Sequence, residues 1–183
     1  MLFENIFNMY VLVEAIWLIL PAYAANGLVP IFKGTYPVDG GRKLVKNRIF
    51  GEGKSWEGLV AGTLIGMVIA MIQQLAYPYL PWGASPIALN IVPMTAQLGL
   101  LLGLGAMLGD LGGSFLKRRF SMKRGAPAPL LDQEDFLIGS LLLSSVIVVV
   151  LSKWWIMLLV ITPVIHWVSC VIGYIFKVKR TPY

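Results

Sequence analysis

The stretch that decides the fold is GDLGGSFLKRRFSMKRGAPAPLLDQED, residues 109–135. It holds five Lys/Arg and four Asp/Glu in 27 residues, within a chain of which only 13% of residues are charged. Apolar runs flank the stretch on both sides, so charges of both signs are concentrated at one place beside hydrocarbon. We interpret this concentration as a site for chemistry at one edge of a membrane protein.

The composition of the chain points to a membrane protein. Its 183 residues are 57% hydrophobic, which is too apolar for a water-soluble domain of this size. The net charge of +6 does not indicate a nucleic-acid partner, because the basic residues lie in short segments between apolar runs, as the positive-inside rule expects. A single cysteine, Cys170, excludes an intramolecular disulfide and a cysteine-based metal cluster.

Five apolar segments predict an all-α polytopic membrane protein with a single membrane-embedded domain over residues 1–183. Each segment approaches the ~20 residues that a bilayer core requires, and the fourth is the shortest. The predicted spans are 9–25, 59–80, 86–108, 136–151 and 154–176, with two long loops at 26–58 and 109–135. The first run is long enough to span and lacks the features of a signal peptide, so we expect it to be retained.

The distribution of basic residues predicts the orientation in the cell membrane. The two long loops and the tail hold 14 of the 15 Lys/Arg, which leaves only Lys153 on the other side. Because positive residues favour the cytoplasmic side, the N-terminus is predicted outside and the C-terminus in the cytoplasm. The two long loops, which carry most of the charged residues, then face the cytoplasm.

Small and polar residues inside the spans indicate how the helices pack. Glycines at every fourth position let helix backbones approach closely, and here they also favour bringing the two long loops together. Glu14 and His166 are ionisable residues within spans, and we interpret both as interhelical hydrogen-bonding groups. The glycines concerned are Gly58, Gly62, Gly66, Gly105, Gly109 and Gly113.

The end of the third span carries a stripe of reactive side chains. If the helix continues into the loop, one face presents a carboxylate, a hydroxyl and two cations at positions i, i+4, i+7 and i+8. Arg119 and Lys123 are adequately explained as interfacial residues that snorkel. The stripe consists of Asp110, Ser114, Lys117 and Arg118.

Two aspartates open the fourth span, after the proline-restricted turn at residues 125–129. Asp132 and Asp135 have a structural interpretation, in which Asp132 is the helix N-cap and Asp135 benefits from the helix dipole. The alternative is that both converge with Asp110 on Mg²⁺, a hard ion that takes oxygen ligands and shares them with phosphate.

The first long loop offers an anion site. The run Gly53-Lys54-Ser55 is similar to the end of a Walker A loop, but Arg48 stands where that motif needs a glycine, so it is not a P-loop. Backbone N–H groups at a helix start, together with Lys54, still form a place where an anion binds.

Taken together, these motifs resemble the CTP-dependent phosphatidate cytidylyltransferase superfamily. The resemblance rests on GDLGGSFLKRR, the basic segment after it, and Asp132 and Asp135 three residues apart. PVDGG and FGEGKSWEG in the first loop, with the short five-span form, are more similar to the archaeal branch, the CDP-archaeol synthases. The bacterial pattern has Lys-Asp where this chain has Lys123-Arg124, and His-Gly-Gly where it has residues 129–131, Pro-Leu-Leu.

The resemblance implies an enzyme that transfers the cytidylyl group of CTP to a membrane lipid phosphate, an unsaturated archaeal ether lipid, with Mg²⁺ and release of pyrophosphate. Under it, Asp110, Asp132 and Asp135 hold the metal. Lys117 and Lys54 neutralise the triphosphate, and Arg118 docks the lipid phosphate through its planar fork. Further candidates for nucleotide or phosphate contacts are Asn26, Asp39, Ser55 and Ser114.

Two other functions remain open at this point. A CTP-dependent polyprenol or phytol kinase would transfer the γ-phosphoryl group to an alcohol and release CDP. A non-enzymatic lipid transporter would carry its polar site near the bilayer midplane, often between inverted repeats. The predicted charges lie at one membrane edge and five spans do not divide into equal halves, which argues against a transporter.

Overall fold

A computed structural model describes residues 6–32, 34–122, 126 and 128–175, and these form a helical bundle. Lys123 and the basic residues of the C-terminal tail, for which roles were predicted, lie outside the described residues. The elements in chain order are helix α1 Met9–Leu28, strands β1 Lys43–Leu44 and β2 Asn47–Arg48, and helices α2 Trp56–Ala76, α3 Ala96–Arg119, α4 Leu131–Ser144 and α5 Ser152–Ile175.

Helix α3 is the centre of the bundle, because its glycines let two neighbouring helices approach its backbone. A methyl group at Gly66 of α2 would lie 2.7 Å from the Cα of Gly103 in α3. On another face of α3, a methyl group at Gly105 would lie 2.5 Å from the carbonyl oxygen of Gly139 in α4. The predicted role of the glycines in close packing is therefore confirmed, with α4 as the partner of the glycines at positions 105, 109 and 113.

The predicted start of the third span was wrong, whereas its helix does continue into the loop, as the stripe of reactive side chains requires. Residues 86–95 are not helical, and α3 begins only at Ala96, where the Thr95 hydroxyl accepts a hydrogen bond from the backbone N–H of Leu98 at 3.1 Å. The helix then continues to Arg119, so that Asp110 lies inside α3 and not at its end. Pro86 and Pro93 disfavour a regular helix in the segment that precedes it.

The fourth predicted span, 136–151, corresponds to a shorter element. Helix α4 has 14 residues, about 21 Å of helix, whereas a bilayer core is ~30 Å thick. Its end is marked by Ser145, whose hydroxyl donates back to the carbonyl of Leu141 at 2.6 Å. Among the described residues, four helical stretches are long and apolar enough to cross a membrane: Met9–Ile31, Trp56–Tyr79, Ala96–Arg119 and Ser152–Ile172.

A buried carboxylate connects α1, α5 and the extended segment before α3. Glu14 is 2% exposed and pairs with Lys153 at 2.5 Å. It also accepts hydrogen bonds from Trp154 Nε1 at 2.8 Å and from the backbone N–H of Asn90 at 2.8 Å. The interhelical role predicted for Glu14 is confirmed. His166 contacts Cys170, 3.7 Å away on the same helix, and its interhelical role stays a prediction.

Candidate functional site

Two lysine–aspartate pairs form the site where the first loop meets α3 and α4. The Lys54 ammonium, just before α2, pairs with Asp110 in α3. Lys117, two turns further along α3, pairs with Asp132 of α4 at 2.5 Å. All four side chains retain partial exposure, between 17% and 29%, so they line a space open to solvent. The structure thus brings four of the predicted residues together.

Asp135 lies near Asp110, against a glycine surface of α3. A methyl group added at Gly113 would collide with the Asp135 carboxylate, and one at Gly109 would collide with its backbone carbonyl. The Asp135 carboxylate accepts a hydrogen bond from the backbone N–H of Phe136 at 2.6 Å. The small residues of GDLGG therefore make room for this carboxylate beside α3.

Burial and neighbouring negative charge raise the pKa values of two carboxyl groups in the first turns of α4. Burial raises the pKa of Asp135 to about 7, and the nearby Asp110 carboxylate contributes in the same direction. Burial, with the charge of Asp135, raises the pKa of Glu134 to about 7 as well. Both Glu134 oxygens are buried without a hydrogen-bond partner among the described residues. The cluster is therefore rich in negative charge at a place where a cation would lower its energy.

The role of Asp132 as a helix N-cap is not what the structure shows. Helix α4 begins at Leu131, with Leu130 at the cap position and in the left-handed region at φ 68°. Asp132 instead lies in the first turn, where one oxygen accepts a hydrogen bond from Ala128 N at 3.0 Å and the other binds Lys117. Its carboxylate joins the turn before α4 to α3.

Two cavities meet at Lys54. The first, of about 360 Å³, is lined by polar groups and by apolar side chains such as Val29, Leu59 and Met107. The second, of about 410 Å³, is lined by Phe50 and by cationic side chains. Among the described residues, 52–54 line both, so the Lys54 ammonium stands between a compartment of mixed polar and apolar lining and a cationic one. The cationic lining of the second cavity comes from Arg48, Lys54, Lys117 and Arg118.

Asp39 is buried within the first loop and binds several parts of it. It is 5% exposed and pairs with Arg48 at 2.5 Å, and it accepts hydrogen bonds from the backbone N–H groups of Gly41, Phe50 and Gly51. Burial opposes ionisation, but the Arg48 guanidinium and these N–H groups outweigh it and hold the pKa of Asp39 well below its usual range. Its carboxylate faces the loop, and a contact with substrate stays a prediction.

The remaining predicted residues occupy three different places. Ser55 is the N-cap of α2, where its hydroxyl accepts a hydrogen bond from Gly58 N at 3.2 Å, and it also lines the first cavity. Ser114 is 5% exposed and lines the second cavity beside Arg118. Asn26 lies near the end of α1 and is not among the residues that line either cavity.

Arg119 and Asn47 were missed as parts of the site. Arg119 donates hydrogen bonds to the carbonyls of Leu44 at 2.9 Å and Arg48 at 2.8 Å, so it is not the snorkelling residue that was predicted. Asn47 donates to the carbonyl of Arg118 at 2.9 Å. These contacts fasten the β1–β2 hairpin to the end of α3, and no sequence signal identifies a pairing so distant along the chain.

The residues present suit a divalent cation, although not in the arrangement seen. Asp110, Asp132 and Asp135 supply hard oxygen ligands, and burial, together with the nearby Asp110 carboxylate, raises the pKa of Asp135. In the described part of the chain, however, no three His, Cys, Asp or Glu side chains are grouped as a metal site. Asp110 and Asp132 are each paired with a lysine. A cation shared by the three aspartates therefore requires these two ion pairs to break.

Comparison with known proteins identifies the family. The family model described as CarS-like, CDP-archaeol synthase, matches residues 7–183. The CDP-archaeol synthase of Pyrococcus abyssi is 42% identical over 93% of this chain and 97% of its own, and that of Pyrococcus furiosus is 40% identical over 96% of this chain and 100% of its own.

The fold is similar to that of a solved intramembrane enzyme for archaeal membrane lipid biosynthesis. The two have a TM-score of 0.73 and are 34% identical, and the match covers 86% of this chain and 92% of that one. The chain belongs to the CDP-archaeol synthase family.

Proposed function

We propose that this protein is a membrane-embedded CTP-dependent cytidylyltransferase that converts an unsaturated archaeal ether-lipid phosphate, 2,3-bis-O-geranylgeranyl-sn-glycero-1-phosphate, into its CDP derivative. Family membership supports the reaction and the class of lipid. The observation that carries the proposal is the position of Lys54 between a cationic cavity and a partly apolar one. Such a junction suits an enzyme that joins a nucleotide to a lipid.

The cationic cavity is assigned to the triphosphate of CTP. Lys117 and Arg118 line it on the α3 side and Arg48 lines it on the loop side. Arg118 was predicted to dock the lipid phosphate, but its place beside Lys117 favours the nucleotide. A planar guanidinium can bind two phosphate oxygens at once, which suits it to hold a triphosphate in one orientation.

The first cavity is assigned to the phosphate of the lipid. Lys54 and Ser55 provide its polar side, and Leu59 and Met107 provide an apolar wall toward the helices. In the reaction, an oxygen of the lipid phosphate attacks the α-phosphorus of CTP, and the bond from that phosphorus to the bridging oxygen of the β-phosphate breaks. Pyrophosphate leaves with that electron pair, and no protein nucleophile or oxidant is needed.

Catalysis on this surface consists of positioning and charge neutralisation. When phosphate oxygens approach, Lys54 can exchange Asp110 for the α-phosphate, and Lys117 can exchange Asp132 for the leaving pyrophosphate. The two carboxylates thereby freed, Asp110 and Asp132, would hold Mg²⁺ together with Asp135. Such an ion would supply positive charge that offsets the triphosphate.

The site is proposed to face the cytoplasm, which supplies CTP. The loop that carries Lys54 and the end of α3 hold most of the described basic residues, and they meet at one end of the bundle. The positive-inside rule places such an end on the cytoplasmic side.

Product analysis tests the proposed function. Purified protein in detergent is given either the lipid phosphate or a polyprenol, with Mg²⁺ and CTP labelled at either the α- or the γ-phosphate. Transfer of the α-label to the lipid with release of pyrophosphate, both stopped by EDTA, is expected. Transfer of the γ-label to an alcohol lipid with release of CDP would instead establish a kinase, and no transfer of either label would rule out both enzymes.

A further inference from the structure

An apolar groove of about 610 Å³ runs along the outside of α2, next to the first cavity. Its wall includes Val60, Leu64 and Val68, which follow one another at every fourth position and are each about half exposed. Leu28 and Phe32, from the end of α1 and the turn after it, form the opposite side. This groove is distinct from the charged site described above.

The groove and the first cavity are adjacent at Phe32, which lines both. On α2 the transition is equally direct, since Glu57 lines the groove whereas its neighbour Gly58 lines the cavity. The Glu57 carboxylate accepts a hydrogen bond from the backbone N–H of Thr35 at 2.9 Å. The end of the groove at the start of α2 is therefore polar. A molecule with a phosphate near Lys54 would therefore find an apolar path beginning at Phe32.

The length of the groove fits one leaflet of a bilayer. From Glu57 to Ile69 is 12 residues, or about 18 Å of helix. Half of a ~30 Å hydrocarbon core is ~15 Å, so the groove extends from the headgroup level to about the membrane midplane. A chain attached to a headgroup at the site has this same span to cross.

We infer that this groove on α2 binds a hydrocarbon chain of the lipid phosphate substrate and of its CDP product, with Phe32 at the boundary between phosphate and chain. The inference rests on the proposed function, because the occupant is the substrate of that reaction. A chain held in the groove limits the rotation of the lipid, so its phosphate is directed toward Lys54. The preference of the enzyme for lipids with long chains is then determined by residues of α2 that lie away from the charged site.

Matched tryptophan substitutions test the groove by kinetics. Val60→Trp and Ala61→Trp place a large side chain in the groove, and Val164→Trp makes the same change as Val60→Trp at a 58% exposed position of α5 outside it. The groove variants should lower kcat/KM for a long-chain lipid phosphate by about fourfold or more, as expected for displacement of at least one chain methylene. The KM for CTP and the rate with a short-chain lipid phosphate should not change.

A photoreactive lipid phosphate with a diazirine in mid-chain provides a readout that does not depend on turnover. Adducts within residues 60–69 that decrease when unlabelled lipid phosphate is added would support the groove. Adducts there that do not decrease would show bulk lipid only and would overturn the inference. The inference would also be overturned if, in an active preparation, the groove variants had the same kcat/KM for the long-chain lipid phosphate as Val164→Trp. If the unmodified protein transfers no label to any lipid, the proposed function itself fails.

Discussion

Lys54 and Lys117 are the residues for which catalytic and structural roles can be separated by measurement. Each pairs with an aspartate, but all four side chains are partly exposed, and such pairs contribute only about 0–1 kcal/mol to stability. Their cost of opening is therefore small compared with the stabilisation that a lysine can give a phosphate in a transition state.

Lys54→Met should thus lower the rate of cytidylyl transfer by about 10²-fold while the free energy of unfolding changes by about 1 kcal/mol or less. Turnover and denaturant unfolding in detergent are the two measurements. Lys46→Met, at an exposed lysine of the same loop, is the control and should affect neither. Equal losses of rate in both variants would contradict a catalytic role specific to Lys54.

The adjacent glycines at 112 and 113 offer a second comparison. A methyl group at Gly113 meets the Asp135 carboxylate, whereas nothing lies within 4 Å of one at Gly112. Gly113→Ala should displace Asp135 and reduce turnover by about 10²-fold, the loss expected for misplacement of a catalytic group by ~1 Å. Gly112→Ala should retain full activity. Similar rates for the two variants would show that Asp135 does not need its present position.

The raised pKa of Asp135 predicts a pH dependence of stability in metal-free protein. The folded state keeps this proton up to about pH 7, whereas the unfolded chain releases it near the ordinary value of 3.8. The folded state thus binds more protons between these values, and the free energy of unfolding should decrease as the pH rises through that range. Each unit of pKa difference corresponds to about 1.4 kcal/mol.

Denaturant unfolding in EDTA at a series of pH values measures this slope. Asp135→Asn should make it less steep, because the amide does not titrate, and the slope that remains is that of Glu134, whose pKa is also raised to about 7. An identical slope in the unmodified protein and the variant would mean that other groups produce the dependence.

At the scale of single residues, the sequence predicted what lies on one helix but not what crosses between loops. The stripe from Asp110 to Arg118 follows from helical periodicity and is present on α3. The buried position of Asp39 depends on how the first loop folds around Arg48. The contacts of Arg119 join residues more than 70 positions apart, and no local spacing predicts them.

At the scale of elements, the Glu14 cluster holds α1, α5 and the segment before α3 in place. Glu14→Ala would leave Lys153 without its carboxylate, at a cost of about 3 kcal/mol. This value is at the low end for a broken buried pair because Lys153 is 27% exposed. Thermal or denaturant unfolding of the detergent-solubilised protein measures the loss.

Removal of both charges provides the control for that change. Glu14→Gln combined with Lys153→Met leaves no uncompensated ion and should recover much of the stability. The activity of the folded fraction should be unaffected, since neither cavity is lined by these residues. A double variant as unstable as Glu14→Ala would assign the loss to the contacts with Asn90 and Trp154.

The boundaries of the helices were predictable only where the sequence carries a local signal. Ser55 before α2 is such a signal, since it is a residue that caps helices. Apolar composition alone did not separate the extended residues 86–95 from the helix that follows, and it made the short α4 look like a full span. Helix α4 is held by its close packing against α3, which the sequence does not reveal, whereas most of residues 86–95 are exposed.

At the scale of the whole molecule, the charged groups of the site are concentrated at the end of the bundle that the loops cover. The single carboxylate of Glu14, with its ion pair and hydrogen bonds, lies away from both cavities. Membrane embedding, family and the concentration of charge between α3 and α4 were all predictable, because each depends on composition or on a contiguous motif. The division of the site into two compartments was not, since it results from the first loop lying across α3.

The most direct test of this account is the rate of cytidylyl transfer by Asp110→Asn protein, with α-labelled CTP and the lipid phosphate at saturating concentrations. Thermal unfolding in the same detergent must first show that the variant is folded. A rate lower by about 10²-fold or more is expected, because Asp110 lies at the junction where Lys54, the nucleotide and the cation meet. A rate close to that of the unmodified protein would contradict the assignment of the reaction to this site.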